Sequence, residues 1–400
     1  MLDAYIYDGV RTPFGGHAGM LAAVRPDDLM AACIEALMGR SPLDPGHIED
    51  VIVGCACQAG EDARNVARHA GLLAGLAVET AGQTVNRLCG SGLAALLDAA
   101  RAVTCEESDM MVAGGVESMS RAPFVLAKAD RPFSRKAEIY DSTIGARFPN
   151  PRVLARVGGD TMPETADNVA HDLELRREDA DRFAEASQHK YQAAKAQGFY
   201  GDELIPVPVP GRGKAPAVQV REDEHPRPDT TGARLAALRP LFEGGVVTAG
   251  NASGINDGAV ALLVGSRAAG ERAGIQPRAR ILAGAVAGVP PRIMGLGPVP
   301  ASRKALQRAG LTLDDMDVIE INEAFAVQVL GCAKQMQLAG DDSRLNPNGG
   351  AIAIGHPLGA SGARLALTAM RQLERCGGRY ALVTLCIGVG QGVAAVLERV

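Results

Sequence analysis

The chain has 400 residues, 47 % of them hydrophobic and 22 % charged, with a formal net charge of −5. That balance excludes a disordered chain, and its mild acidity leaves no electrostatic footprint for nucleic acid. No apolar run is long enough to span a membrane, and Met1-Leu2-Asp3-Ala4-Tyr5 does not open a signal peptide, so the cytoplasm is the expected compartment.

The first predicted helix follows Pro26. Asp27 and Asp28 put negative charge at its start, and Leu29, Cys33, Ala36 and Leu37 share one face. Residues 50–53 read as a strand. A short strand is then expected to end near Cys89, in Asn86-Arg87-Leu88-Cys89-Gly90-Ser91-Gly92. A helix bearing Leu93, Leu96, Leu97 and Ala100 follows directly, and residues 110–113 form the next strand. Composition then changes. Between 121 and 249, prolines crowd positions 206 to 228. Lysines and arginines stand at 121, 128, 131, 135, 136, 147, 152 and 156. One helix runs there from about 178 to 197, with Phe183, Ala186, Tyr191 and Ala194 on one face and Gly198 as its stop. The stretch reads as a loop-rich lid inserted into an α/β core. Strands resume at 259–264 and 316–319, and the last predicted strand, 381–385, runs into Cys386-Ile387-Gly388.

The core repeats itself. Asp50-Val51-Ile52 recurs as Asp317-Val318-Ile319, 267 residues on, each after an amphipathic helix. Gly90-Ser91-Gly92 aligns with Ala360-Ser361-Gly362 at a shift of 270, each opening a helix that leads to a strand. Chance among Gly/Ala-rich segments is the competing explanation; several features in one order favour duplication.

Four segments carry chemistry. Cys89 stands where a helix begins, and the positive end of the helix dipole favours a thiolate; a cysteine is otherwise a small buried hydrophobe. His356 lies in a glycine-rich segment, Asn346 to Gly362, with Pro357 fixing the next backbone angle. Gly359-Ala360-Ser361-Gly362-Ala363 falls one residue short of a serine nucleophile elbow. Cys386 ends a strand before Gly388-Val389-Gly390. Asn322 and Glu323 end another; they either hold a ligand or cap the helix that follows. The eight cysteines are no disulfide framework, and no histidine pair has zinc spacing, so no metal is expected. The dinucleotide fingerprint G-x-G-x-x-G is absent from both glycine-rich segments.

Asn-Arg-x-Cys-Gly-Ser-Gly, Asn-Glu-Ala-Phe, Gly-Gly-x-Ile-Ala-x-Gly-His-Pro-x-Gly-Ala-Ser-Gly and the terminal Cys-Ile-Gly-x-Gly together resemble the thiolase family, in order and over the whole chain. The third catalytic position is Cys386, which separates thiolases from the related ketosynthases and hydroxymethylglutaryl-CoA synthases. The resemblance implies a duplicated five-layer α-β-α-β-α fold with a loop-rich α+β insertion. Its parts would be 1–120 with 250–275, the insertion 121–249, and 276–400. It also implies roles. Cys89 would accept the acyl group and His356 would take its proton. Cys386 would move the proton at the α-carbon. Asn322, through a water, would complete one oxyanion hole with His356, and the amides of Cys89 and Gly388 would form the other. Ser253 in Gly250-Asn251-Ala252-Ser253-Gly254 resembles the serine at the pantetheine arm, and Arg227 the arginine beside the adenine. Met162, Ala324 and Phe325 join them as substrate-binding positions. Coenzyme A would enter as substrate, with no permanently bound cofactor, and the assembly would be a homotetramer built from dimers.

Thr161-Met162-Pro163 departs from the His-Met-Gly of acetoacetyl-CoA-forming members. The opening Leu2–Gly15 segment, Met162-Pro163-Glu164-Thr165-Ala166 and the terminal Cys386–Gly392 block are most similar to members that cleave 3-oxoadipyl-CoA. A general acetyl-CoA acetyltransferase is the alternative, and an inactive CoA-binding thiolase-like protein the remote one.

Overall fold

The computed structural model describes every residue except 212, 214 and 215. Its sheet has two halves of the same design. In the first, Ala4–Arg11, Asn256–Gly265, Met110–Ser118, Asp50–Gly54 and Ala81–Val85 lie side by side; the first two pairings are antiparallel and the last two parallel. In the second, Ala279–Gly288, Gln391–Arg399, Tyr380–Ile387 and Val318–Ile321 follow the same order and sense. Leu345, in a lone parallel bridge to Ile319, takes the fifth place. The halves join edge to edge, Ala4 opposite Ile281 and Ile6 opposite Ala279. Identical order and sense in both halves favour duplication over chance.

Layering follows from which faces are apolar. Ser91–Thr104 and Leu358–Cys376 pack together between the two halves and are buried on nearly every side, Leu358–Cys376 taking Ser361, Arg364 and Thr368 into the interior with its apolar residues. Pro26–Arg40 and Val66–Leu73 cover the outer face of the first half. Pro298–Ala309 and Ala326–Gln335 cover that of the second. The result is α-β-α-β-α. Strands between two helical layers lose alternation: Met110–Ser118 and Asn256–Gly265 are buried at every position.

Glycines let the central helix approach the sheet. A Cβ on Gly115 would overlap the Gly359 carbonyl, and one on Gly359 would overlap the Val116 carbonyl. Neither neighbour is a side chain that can swing away. Gly115→Ala is therefore expected to cost about 1–3 kcal/mol as overpacking. A lower urea midpoint at unchanged slope checks this, and an unchanged midpoint would contradict it.

The insertion carries two small hairpins, Phe124–Leu126 with Ile139–Asp141 and Val207–Val209 with Val218–Val220. Its expected helix is present as Arg177–Ala196, and Gly198 after it has φ +72°. Arg11, fully buried, ties the insertion to the first strand through Glu203 (2.6 Å) and Asp223 (2.6 and 2.9 Å).

The strand expected to reach Cys89 stops at Val85. Leu88 takes φ +46°, its N–H donating to Asn86 Oδ1 at 2.9 Å, so Asn86 to Gly90 forms a turn instead.

Candidate active site

Cys89 sits in that turn, one residue before the Gly90 N-cap of Ser91–Thr104. Ser91 Oγ holds the turn closed, accepting from the Arg87 N–H (2.9 Å) and donating to Leu88 O (2.6 Å). A Cβ on Gly90 would come within 2.5 Å of Ile387 Cδ1, so the turn lies directly on the end of the strand that carries Cys386. Burial pushes the Cys89 thiol up to about 11; the Gly388 backbone N–H opposes this and the nearby Glu117 carboxylate adds to it. The sequence favoured a thiolate on the helix dipole. Loss of water outweighs the dipole here, so the resting group is a thiol and needs a base.

His356 is such a base. Its own N–H donates to Asn256 Oδ1 at 2.8 Å, and Asn256 Nδ2 in turn donates to Gly15 O at 3.0 Å. Gly355 before it has φ +109°, and a Cβ there would meet the Asn256 amide at 2.5 Å, so this approach needs glycine. The ring Nδ1 lies 2.6 Å from Ser361 Oγ, which is also 2.9 Å from Pro357 O. With the hydroxyl proton assigned to Pro357 O, Nδ1–H donates to Ser361 and Nε2 keeps its lone pair. Burial, then the Arg364 charge, pushes the imidazole down to about 4, so it is neutral at pH 7. Ser361 thus orients the histidine; it is no elbow nucleophile.

The helices that follow Cys89 and His356 abut at their starts. A Cβ on Gly92 would overlap the Gly359 carbonyl, so the first turns of Ser91–Thr104 and Leu358–Cys376 touch just beyond the two residues. Cys386 joins from the end of Tyr380–Ile387. Burial raises its thiol well above the ordinary value, and the Cys89 and Cys332 thiols raise it further. Gly388 begins the following turn, where Val389 has φ +63°. A Cβ on Gly388 would stand 3.3 Å from Leu88 Cδ1 and 3.7 Å from Met162 Sδ, which places Met162 on the same wall.

Asn322 follows the strand next to that of Cys386, its N–H donating to Thr384 O at 3.0 Å. Its Nδ2 lies 3.4 Å from His356 Nε2, and its buried Oδ1 has no partner among the described residues. It caps no helix: the next one starts at Ala326 with Phe325 as N-cap. Glu323 instead anchors the histidine segment, accepting from Ser187 Oγ (2.6 Å), Asn346 Nδ2 (2.8 Å) and the Ile352 N–H (3.1 Å).

Ala324 and Phe325 are buried and strap down the segment that contains Ser253. Ser253 N–H donates to Ala324 O at 3.0 Å, and Ala252 bridges Phe325. Beside this strap opens a cleft of about 370 Å³ lined by Arg227, His225, Gln188, Gly250, Ala252 and Ile352. Sequence reasoning named Arg227 and this glycine block. It missed Asn256, Glu117, His225 and Gln188, whose neighbours are distant in the chain.

Comparison with known proteins agrees along the full length. The model of the thiolase N-terminal domain matches residues 4–268, and that of the thiolase C-terminal domain matches 275–399. The 3-oxoadipyl-CoA/3-oxo-5,6-dehydrosuberyl-CoA thiolase of Escherichia coli (strain K12) is 56 % identical over 402 residues, covering 100 % of both chains. The crystal structure of the Bacillus anthracis acetyl-CoA acetyltransferase superposes with a TM-score of 0.93 at 37 % identity, covering 100 % of this chain and 99 % of the other. Human mitochondrial 3-ketoacyl-CoA thiolase in complex with CoA gives 0.92 at 38 % identity, covering 100 % and 98 %. With both domains matched and the five layers shared, the chain belongs to the thiolase family.

Proposed function

We propose that the chain cleaves 3-oxoadipyl-CoA with coenzyme A, giving succinyl-CoA and acetyl-CoA. One observation carries the chemistry: the Cys89 turn lies on the end of the strand that carries Cys386, and the helix it opens abuts the helix that follows His356. His356 Nε2 takes the Cys89 proton, and Sγ attacks the C3 ketone. The amides of Cys89 and Gly388 hold the oxyanion. The C2–C3 bond breaks, and the electron pair left on C2 takes the Cys386 proton, so acetyl-CoA leaves and succinyl stays on Cys89. His356 and an Asn322-held water stabilise the thioester oxygen meanwhile. His356 passes its proton on to Cys386, then takes the thiol proton of a second coenzyme A, whose sulfur attacks the acyl-enzyme and departs as succinyl-CoA while that proton returns to Cys89. Coenzyme A is a substrate, and the Arg227 cleft with Ser253 is its proposed binding path.

The acyl chain ends in a carboxylate that must be paired once it leaves water. Of the eight cations marked in the insertion, Arg121 is held by Glu61 (2.6 Å) and Arg131 lies beside Asp130. Lys128, Arg135, Lys136, Arg152 and Arg156 are exposed. Arg147 is half-buried, donates to the Cys57 carbonyl and has no carboxylate partner among the described residues. Arg147→Ala is expected to lower kcat/KM for 3-oxoadipyl-CoA about 10–100-fold, the worth of one charged pair. Acetoacetyl-CoA cleavage should change little; equal losses on both would remove Arg147 from this role.

The rival is general acetyl-CoA acetyltransferase activity, favoured by the structural likeness to the Bacillus anthracis protein. Measuring kcat/KM on both substrates decides between them. A value for acetoacetyl-CoA equal to or above that for 3-oxoadipyl-CoA would leave a thiolase and remove the oxoadipyl reading.

The division into 1–120 with 250–275, 121–249 and 276–400 is the domain division we propose. A homotetramer is supported by apolar side chains at the tip of the insertion, with Phe133 fully exposed and Phe124 76 % exposed. Eight free cysteines support a reducing compartment, the cytoplasm.

A further inference from the structure

Two arginines, Arg11 and Arg364, head the fully buried side chains, and they are treated differently. Arg11 meets two carboxylates at 2.6 Å. Arg364, on the central helix one turn beyond Ser361, reaches only Glu320 Oε2, at 3.5 Å. Its Nε and Nη2 have no partner among the described residues, and neither does Glu320 Oε1. Burial pushes the Glu320 carboxyl up to about 8, so it is mostly protonated at pH 7 and leaves the guanidinium unneutralised. A charge kept this way in the interior is costly and calls for a reason.

Beyond Glu320, the base is a group that can respond. Ser361, bonded to His356 Nδ1, and Arg364 lie three residues apart on one helix, and the Arg364 charge opposes an imidazolium at His356. From the other elements His356 meets Asn322 and Asn256. Glu117 sits at the Gly359 N–H and is itself raised to about 7; Glu323 is committed to Ser187, Asn346 and Ile352. Lys190 and Glu203 act on Glu320 with opposite signs.

We propose that Arg364 is a positioning residue for the base: an unneutralised charge behind His356 that keeps the resting pair as thiol and imidazole and prevents a standing thiolate–imidazolium pair. The proposal rests on His356 being the base for Cys89. It gives the enzyme a nucleophile that is ionised only during the attack, when the developing oxyanion accepts the charge.

The test is the pH profile of Cys89 alkylation by iodoacetamide, located by peptide mass, beside the pH profile of kcat/KM. In the native protein alkylation should be slow at pH 7 and rise only in alkaline solution. Arg364→Met removes the cation, so His356 holds its proton to higher pH. Alkylation at pH 7 should rise about tenfold, one pH unit's worth, and the acid limb of kcat/KM should move to higher pH. Arg364→Lys keeps the charge and should keep the native alkylation profile. Glu320→Gln should keep the native alkylation rate at pH 7, where that carboxyl is already mostly protonated. A native profile in Arg364→Met overturns the proposal. If Arg364→Met does not fold, the other two variants decide: a shifted profile in Arg364→Lys, or a changed rate at pH 7 in Glu320→Gln, overturns it. Unchanged alkylation and turnover in His356→Ala would instead remove the base assignment itself.

Discussion

Cys89→Ala is expected to abolish thiolysis and acyl-enzyme formation together, by on the order of 10⁴-fold or more, as when a covalent nucleophile is removed. Apart from Cys386, buried beside it and assigned to the α-carbon proton, no other thiol is placed to substitute. Cys33, Cys55, Cys57 and Cys332 are buried in the layers, and Cys105 and Cys376 are exposed at the ends of the central helices. Incubation with acetyl-CoA and an acid quench should leave one acetyl group on the native Cys89 peptide and none on the variant. Label on Cys105 or Cys376 would overturn the assignment.

The second large effect separates the half-reactions. Cys386 handles only the proton at the α-carbon in this account. Cys386→Ala should therefore still acetylate Cys89 and exchange acetyl between coenzyme A molecules. Cleavage of the C–C bond should fall at least about 10²-fold, the usual loss for a missing acid–base group. His356→Ala removes the base that Cys89 needs at every attack and should damage both half-reactions. Buried beside Cys89 with its thiol raised, Cys386 is suited to hold a proton until a carbanion demands it. Equal damage to both half-reactions in Cys386→Ala would contradict the division.

How much was legible depended on whether the cause was local. The insertion helix was readable because its apolar face and its Gly198 stop lie within one segment. The repeat was readable because equivalent strands kept Asp-Val-Ile. Ala4–Arg11, Ala279–Gly288 and Gln391–Arg399 went unread. Ala279–Gly288 is rich in Ala and Gly, and all three become strands because neighbours on both sides pair with them. At Leu88 a left-handed backbone, rare for leucine, ends the extended run early, and only the Asn86 and Ser91 bonds account for it. The glycines around His356 marked a positioned side chain. Its bonds to Ser361 and Asn256 stayed hidden, because packing decides which polar group faces which ring. The thiolate expectation failed for the same reason: the helix start is visible in sequence, but the burial that overrides it is not.

The most direct measurement is a rapid acid quench of the native protein with 3-oxoadipyl-CoA and no free coenzyme A, followed by mass analysis of its peptides. The account predicts acetyl-CoA released in one burst, with the mass of a succinyl group on the Cys89 peptide that disappears when coenzyme A is added. An acyl group on any other residue, or turnover with no acylated peptide at all, would contradict it.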